Sequence, residues 1–148
     1  MVEEDLPLSG RFVGKQHRFP CRVYFEDTDA GGVVYHANYL RFMERARTDM
    51  LRLVGIGQRD AMAAGEGVYV VADLSIRYRK PARLDDALLV VSRMTAVRAA
   101  SCVVQQTVMR DTDVLTEGEI TVAFLTPDGR PRRQPPAWVE IFSKLVES

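Results

Sequence analysis

Histidine and cysteine are scarce in this chain of 148 residues, with two of each. His17, Cys21, His36 and Cys102 are too few and too scattered to make a zinc site. Two cysteines do not make a disulfide framework either, so reduced thiols in a cytoplasmic protein are the expectation. No apolar run approaches the 18 residues that read as a membrane span, which predicts no integral membrane segment. The opening "MVEEDLPLSG" is acidic and has no signal-peptide core, which again points to the cytoplasm. Charge of one sign is also missing. Twenty basic and twenty acidic residues cancel, leaving no global field to draw nucleic acid or an anionic membrane. There is no G-x-S-x-G for a serine nucleophile, and no Gly-Lys-Ser/Thr follows the glycine turn at 31–32 to make a phosphate loop.

What is present is ordinary in amount and specific in pattern. Apolar residues make up 47% and charged residues 27%, enough for one domain with a sizeable core. Residues 1–16 read as a loose lead-in, and 17–148 as a single domain. "RFPCRVYF" is a plausible first strand, with Pro20 suited to its start. In "NYLRFMERARTDMLRLVG", Tyr39, Met43, Ala46, Met50 and Leu53 recur at steps of three and four, with Leu40, Arg47, Leu51 and Val54 beside them. Asn38 is the expected N-cap and Gly55 the stop, giving a helix of about 17 residues and roughly 25 Å. The period then drops to two. Val68, Val70, Ala72, Leu74, Ile76 and Tyr78 share one face of a long strand expected to be half-buried. Three more strands follow, joined at "RAAS" and at the Asp-Thr-Asp of 111–113, and "AWVEIFSKLV" closes the chain as a helix. The fold class is α+β: an antiparallel sheet of about five strands wrapped around one long central helix.

The chemistry concentrates in "EDTDAGGVVYHANYL", residues 26–40. "DTDAGG" opens like a calcium loop, with Asp27 and Asp29 at positions one and three. Position five is Gly31, however, and position twelve is Asn38 where a bidentate Glu is required. No metal is expected. The stretch instead puts a carboxylate on a glycine turn before a helix N-terminus, whose free N–H groups and partial positive charge polarise a carbonyl. An adjacent Asp serves as base on water or attacks the carbonyl itself. A thioester suits this equipment, because a thiolate with a pKa near ~8.5 leaves with little help from a general acid.

The segment "YFEDTDAGGVVYHANYLRFMERARTDML" resembles the signature of the 4-hydroxybenzoyl-CoA thioesterase class of hotdog-fold proteins. It is most similar to the Tol–Pal-associated acyl-CoA thioesterases of the YbgC type. The likeness continues through "YRKPARLDD" and "VRAAS" and spans roughly 20–130. It implies a hotdog fold and hydrolysis of acyl-CoA without metal or cofactor, as well as a homodimer or homotetramer joined through edge strands with sites at subunit interfaces.

Residue by residue, the resemblance makes Asp29 the catalytic carboxylate and puts the oxyanion donor at the backbone N–H of His36. The His36 imidazole is a helper in proton transfer, with Tyr35 and Asn38 beside the substrate. Asp27 is a turn brace. Arg98 and Ser101, in the hairpin, are expected at the coenzyme A phosphates. Acyl carrier protein stays open as the thiol carrier. Two other hotdog activities also stay open: a hydratase or dehydratase, and a non-catalytic acyl-CoA-binding protein.

Overall fold

The computed structural model describes residues 2–147. Six strands form one antiparallel sheet: β1 (Arg11–Val13), β2 (Gln16–Arg22), β3 (Val68–Tyr78), β4 (Ala87–Val97), β5 (Ser101–Arg110) and β6 (Asp113–Leu125). Their order across the sheet is β1-β2-β4-β5-β6-β3. Three α-helices accompany them among the described residues: α1 (Asn38–Leu53), α2 (Gln58–Ala63) and α3 (Pro136–Leu145). The sheet curls around α1, as the resemblance implies, with one strand more than expected.

α1 is helical because its apolar side chains return every three or four residues. Tyr39, Phe42, Met43, Ala46 and Met50 are all buried on one stripe. Phe42 and Met43 are fully closed from solvent, a burial worth about 1.5–3 kcal/mol for each side chain. They pack with Val90 of β4, Val108 of β5 and Ile120 of β6. Toward the end of α1, Met50 and Leu51 join Met94, Val104 and Phe142 in a second cluster that seats α3.

Three expectations change in detail. Pro20 lies inside β2 rather than at its start, paired with Leu89 on one side and beyond the reach of β1 on the other. The lead-in is attached from Ser9 onward. Ser9 Oγ and the Gly10 N–H donate to the two oxygens of buried Asp49, and β1 pairs with β2. Gly10 permits this contact, since a Cβ there would stand 2.9 Å from both Asp49 Oδ2 and His17 Nε2.

The largest change concerns β3. Its register with β6 runs from Val68↔Leu125 to Tyr78↔Thr116, so it is paired on one side only. Expected to be half-buried, it is instead largely exposed, with Val71 at 45% and Tyr78 at 46%. Sequence alternation marks one apolar face, but a bulge between Val71 and Asp73 interrupts it; Tyr69 and Ile76 pack against the two clusters around α1, while Val70, Val71 and Leu74 stay exposed.

Candidate active site

The loop between β2 and α1 is built around two aspartates with different surroundings. Asp27 is buried, and every polar group it offers is engaged. Its Oδ2 accepts the Tyr24 N–H (2.8 Å), its Oδ1 accepts the Asn38 side-chain amide (2.9 Å), and its carbonyl accepts the Tyr35 N–H (2.9 Å). Asp27 is the brace expected of it. Asp29 is exposed, on a tight turn in which its N–H donates to the Val33 carbonyl and its carbonyl accepts the Gly32 N–H. Gly32 supplies the left-handed backbone that closes the turn, at φ 81°. One carboxylate oxygen of Asp29 accepts the Gly31 N–H at 2.8 Å; the other has no protein donor among the described residues.

The turn leads directly into α1. The Tyr35 carbonyl accepts the Asn38 N–H at 2.8 Å, and the Ala37 carbonyl accepts the Leu40 N–H at 3.2 Å. Ala37 takes the cap position, which corrects the assignment of Asn38 as N-cap. Asn38 occupies the first helical position instead, buried, with its side chain turned back onto Asp27. It was also expected beside the substrate, and its amide is committed to the brace. Among the described residues the N–H groups of His36 and Ala37 meet no protein acceptor. They are the free donors a helix start provides.

The surroundings of His36 bring in a residue the sequence reading did not single out. The Tyr78 hydroxyl donates to the His36 carbonyl at 2.7 Å, tying the end of β3 to the head of α1. The His36 ring meets Tyr35 edge-on at 4.6 Å and Tyr78 at 6.1 Å. Burial, and then the neighbouring Tyr39, raise the Tyr78 phenol above its ordinary value, so at neutral pH it stays a donor. His36, Tyr78, Val34, Tyr39 and Lys80 line an open cavity of about 280 Å³. The basic residues nearby are partly neutralised, with Arg79 2.8 Å from Glu117 and Lys80 3.0 Å from Asp113.

Asp29, Tyr35, His36 and Asn38 therefore belong to one loop and helix start. Arg98 and Ser101 do not join them within one chain. They close the β4–β5 hairpin, where the Arg98 N–H donates to the Ser101 carbonyl, and Gln134 staples both residues to the segment before α3. Tyr78 lies in register with Thr116 and Val108, whereas Ser101 is seven residues further along β5, about 23 Å at ~3.3 Å per residue. Neither thiol is a rival nucleophile. Burial pushes both Cys21 and Cys102 up to about 11, leaving them protonated at neutral pH. Among the described residues no cluster of His, Cys, Asp and Glu fit for a metal occurs, and no helix is long and apolar enough to cross a membrane.

A free carboxylate oxygen beside unengaged helix-start amides can activate water, or attack, at a carbonyl the amides polarise.

Comparison with known proteins points the same way. The family model described as "Thioesterase superfamily" matches residues 31–117. "Acyl-CoA thioester hydrolase YbgC" of Escherichia coli is 43% identical over 129 residues, covering 86% of this chain and 96% of that one. "Acyl-CoA thioesterase YbgC" of Haemophilus influenzae is 46% identical over 105 residues, covering 71% of this chain and 77% of that one. A probable thioesterase from Bartonella henselae superposes with a TM-score of 0.79 at 33% identity, over 81% of this chain and 99% of the other. A 4-hydroxybenzoyl-CoA thioesterase superposes at 0.80 over 86% of this chain and 98% of the other; at 20% identity, that likeness speaks for the fold alone.

Proposed function

The chain belongs to the thioesterase superfamily and is a thioester hydrolase, and from that premise we propose that it cleaves acyl-CoA to the free acid and coenzyme A. The observation that carries the reading is the free oxygen of Asp29 in the same loop as the unengaged amides of His36 and Ala37. In this mechanism the thioester oxygen takes the His36 N–H, and charge growing on that oxygen is met by the helix start. The Asp29 carboxylate acts as base on water or adds to the carbonyl directly, and the thiolate leaves in either case. If Asp29 adds, a mixed anhydride forms at Asp29 and water then opens it. The His36 imidazole assists proton transfer, and Tyr35 flanks the substrate.

We further propose a dimer in which β3 pairs with a second copy of itself. Support comes from eleven strand residues with one open edge and with Val70, Val71 and Leu74 exposed. Antiparallel self-pairing puts the Val68 end of one copy beside the Tyr78 end of the other. Arg98 and Ser101 then lie at the same end of the continuous sheet as the second copy's Asp29, placed to receive coenzyme A phosphates. Further pairing into a tetramer and a Tol–Pal association rest on the sequence resemblance, and cytoplasmic location on the composition of the chain.

Thiol release across a panel of acyl-CoA and acyl-carrier-protein thioesters tests the activity. No released thiol from any member would overturn it and favour the hydratase or binding roles. Label appearing in the Asp29 side chain after turnover in ¹⁸O-water identifies the nucleophilic route with water opening the anhydride at the Asp29 carbonyl, and trapping the acyl-enzyme with hydroxylamine reads that route where water attacks the acyl carbonyl instead.

A further inference from the structure

A second cavity, of about 330 Å³, opens between α1, α2 and β3, away from the catalytic loop of the same chain. Its walls are apolar and aromatic, including Ile56, Met62, Tyr69, Val122, Phe124 and Trp138. One cation faces into it. Arg47 projects from α1 into this space, half-buried. Its Nη1 donates to Gln106 Oε1 at 2.9 Å. Gln106 is fully buried, and its Nε2 donates to the Met43 carbonyl and to Ser92 Oγ, both at 2.9 Å. With both amide protons used, Gln106 must present its oxygen to Arg47, and the guanidinium is held in one orientation.

Among the described residues no carboxylate lies within ion-pair distance of Arg47; Glu44, one turn earlier, borders the same cavity without pairing. Burial lowers the Arg47 pKa, with Glu44 opposing the shift, and a guanidinium so perturbed still holds its proton at neutral pH. A half-buried cation with spare donors in an apolar chamber lacks the acceptors that usually offset its desolvation. A bound oxygen would supply them.

We infer that this cavity is the acyl chamber and that Arg47, fixed by Gln106, makes it selective for acyl groups carrying a neutral oxygen, a hydroxyl or ketone, remote from the thioester. The inference rests on the thioester-hydrolase reading and on the β3-paired dimer. Arg47 is nine residues along α1 from Asn38, about 14 Å at ~1.5 Å per residue, so the chamber is distant from its own His36. β3 self-pairing brings the wall formed by Val68–Val71 beside the second copy's Tyr78, and hence beside that copy's His36. The volume is at the small end of the ~300–1,000 Å³ typical of ligand sites, which suits short or medium acyl groups. Glu44 at the rim favours a neutral oxygen over a second carboxylate.

The test compares kcat/KM for acyl-CoAs matched in length and bearing a plain, hydroxylated or carboxylated tail. The wild-type enzyme should prefer the hydroxylated member. Arg47→Met and Arg47→Gln should each lose about tenfold or more of that preference. The preference is a ratio, so it is unaffected by how much of a variant folds. A wild type indifferent to the hydroxyl, a preference for the carboxylated chain, or a preference that survives both substitutions would overturn the inference. Thermal shifts of Asp29→Asn by the corresponding free acids read the chamber without turnover. The hydroxylated acid should stabilise more than the plain one, and the difference should vanish when Arg47→Met is added. Failure of all thiol release would therefore sink the hydrolase reading while leaving the chamber separately testable.

Discussion

The Asn38 side-chain amide donates to Oδ1 of Asp27 across 2.9 Å, closed from solvent, and so fastens the aspartate loop to the first turn of α1. Neither residue reaches the cavity beside His36. Together they decide where Asp29 and the His36 N–H stand relative to each other, because the turn that carries Asp29 begins and ends on their hydrogen bonds. The proposed chemistry depends on a separation of a few ångströms between carboxylate and oxyanion donor, and a buried bond of this kind is how a loop keeps one.

Asn38→Ala removes one donor from a buried carboxylate. Leaving such a group short of a partner costs about 1–3 kcal/mol. Urea unfolding should show that loss, and thiol release should fall about tenfold in kcat with little change in KM. A variant with lowered stability and unaltered kcat would show that the brace does not position the catalytic groups.

Asp29→Asn behaves differently, because Asp29 is exposed and its structural duty is a single bond from the Gly31 N–H. An asparagine oxygen accepts that bond equally well. The melting temperature should therefore stay within a degree or so of wild type, while turnover drops on the order of 10²–10⁴-fold, the range of a lost acid–base group. Near-wild-type thiol release from the folded variant would remove Asp29 from the mechanism.

Much of this was legible in the sequence, and what was not has definite causes. The α1 stripe and the strand alternation report which side chains are apolar together, and those elements stand where the periods predict. The two-aspartate loop was legible as well, down to Asp27 as brace. The exposure of β3 was not, since alternation cannot say whether the covering surface belongs to this chain. α2 has six residues, too few for a helical period to declare itself. Asn38 looked like a cap by residue type, but its amide had a buried carboxylate to satisfy, and Ala37 took the cap. Arg47 sat beside the apolar stripe with no mark in sequence to separate it from a solvated charge. Its distinction is Gln106, 59 residues away.

Acid should destabilise the fold through His17 and Asp49. His17 Nε2 lies 2.7 Å from Asp49 Oδ2, and among the described residues its buried Nδ1 has no partner. Burial lowers the His17 pKa below 6.5 despite the hydrogen bond and charge of Asp49. The unfolded chain then takes up this proton before the folded one does. Stability from His17 is complete above about pH 6.5 and is lost as pH falls from there through the lowered folded value. For Asp49, burial acts to raise the pKa but is outweighed by hydrogen bonds from His17, Ser9 and Gly10, so its value lies below 3.8 and a second loss follows beneath that pH. Melting temperatures measured from pH 8 to 4 should decline below about 6.5. His17→Gln, which retains a donor for Asp49, should flatten the decline between 6.5 and 4. An equally steep decline in that variant would assign the acid sensitivity elsewhere.

Leu74→Lys tests the β3 pairing. Leu74 is exposed in the middle of the open edge strand, at 38% of its full surface, and pairs with Ile120 on the side already occupied. A single chain can accommodate a lysine there, because the site is open enough for the stem to lie along the sheet with the ammonium in solvent, and the β3–β6 ladder is made by backbone groups. Across a self-paired β3 it meets its own copy near the two-fold axis, where like charges oppose pairing. Light scattering over a range of concentrations should show wild type at twice or four times the chain mass and the variant shifted toward the monomer. Circular dichroism should be unchanged. Thiol release should fall with dissociation, since the chamber of one copy and the catalytic loop of the other would separate, and should recover as concentration rises. A variant of wild-type mass and activity would show that β3 is not the interface, and a monomer with full activity would show that one chain holds the complete site.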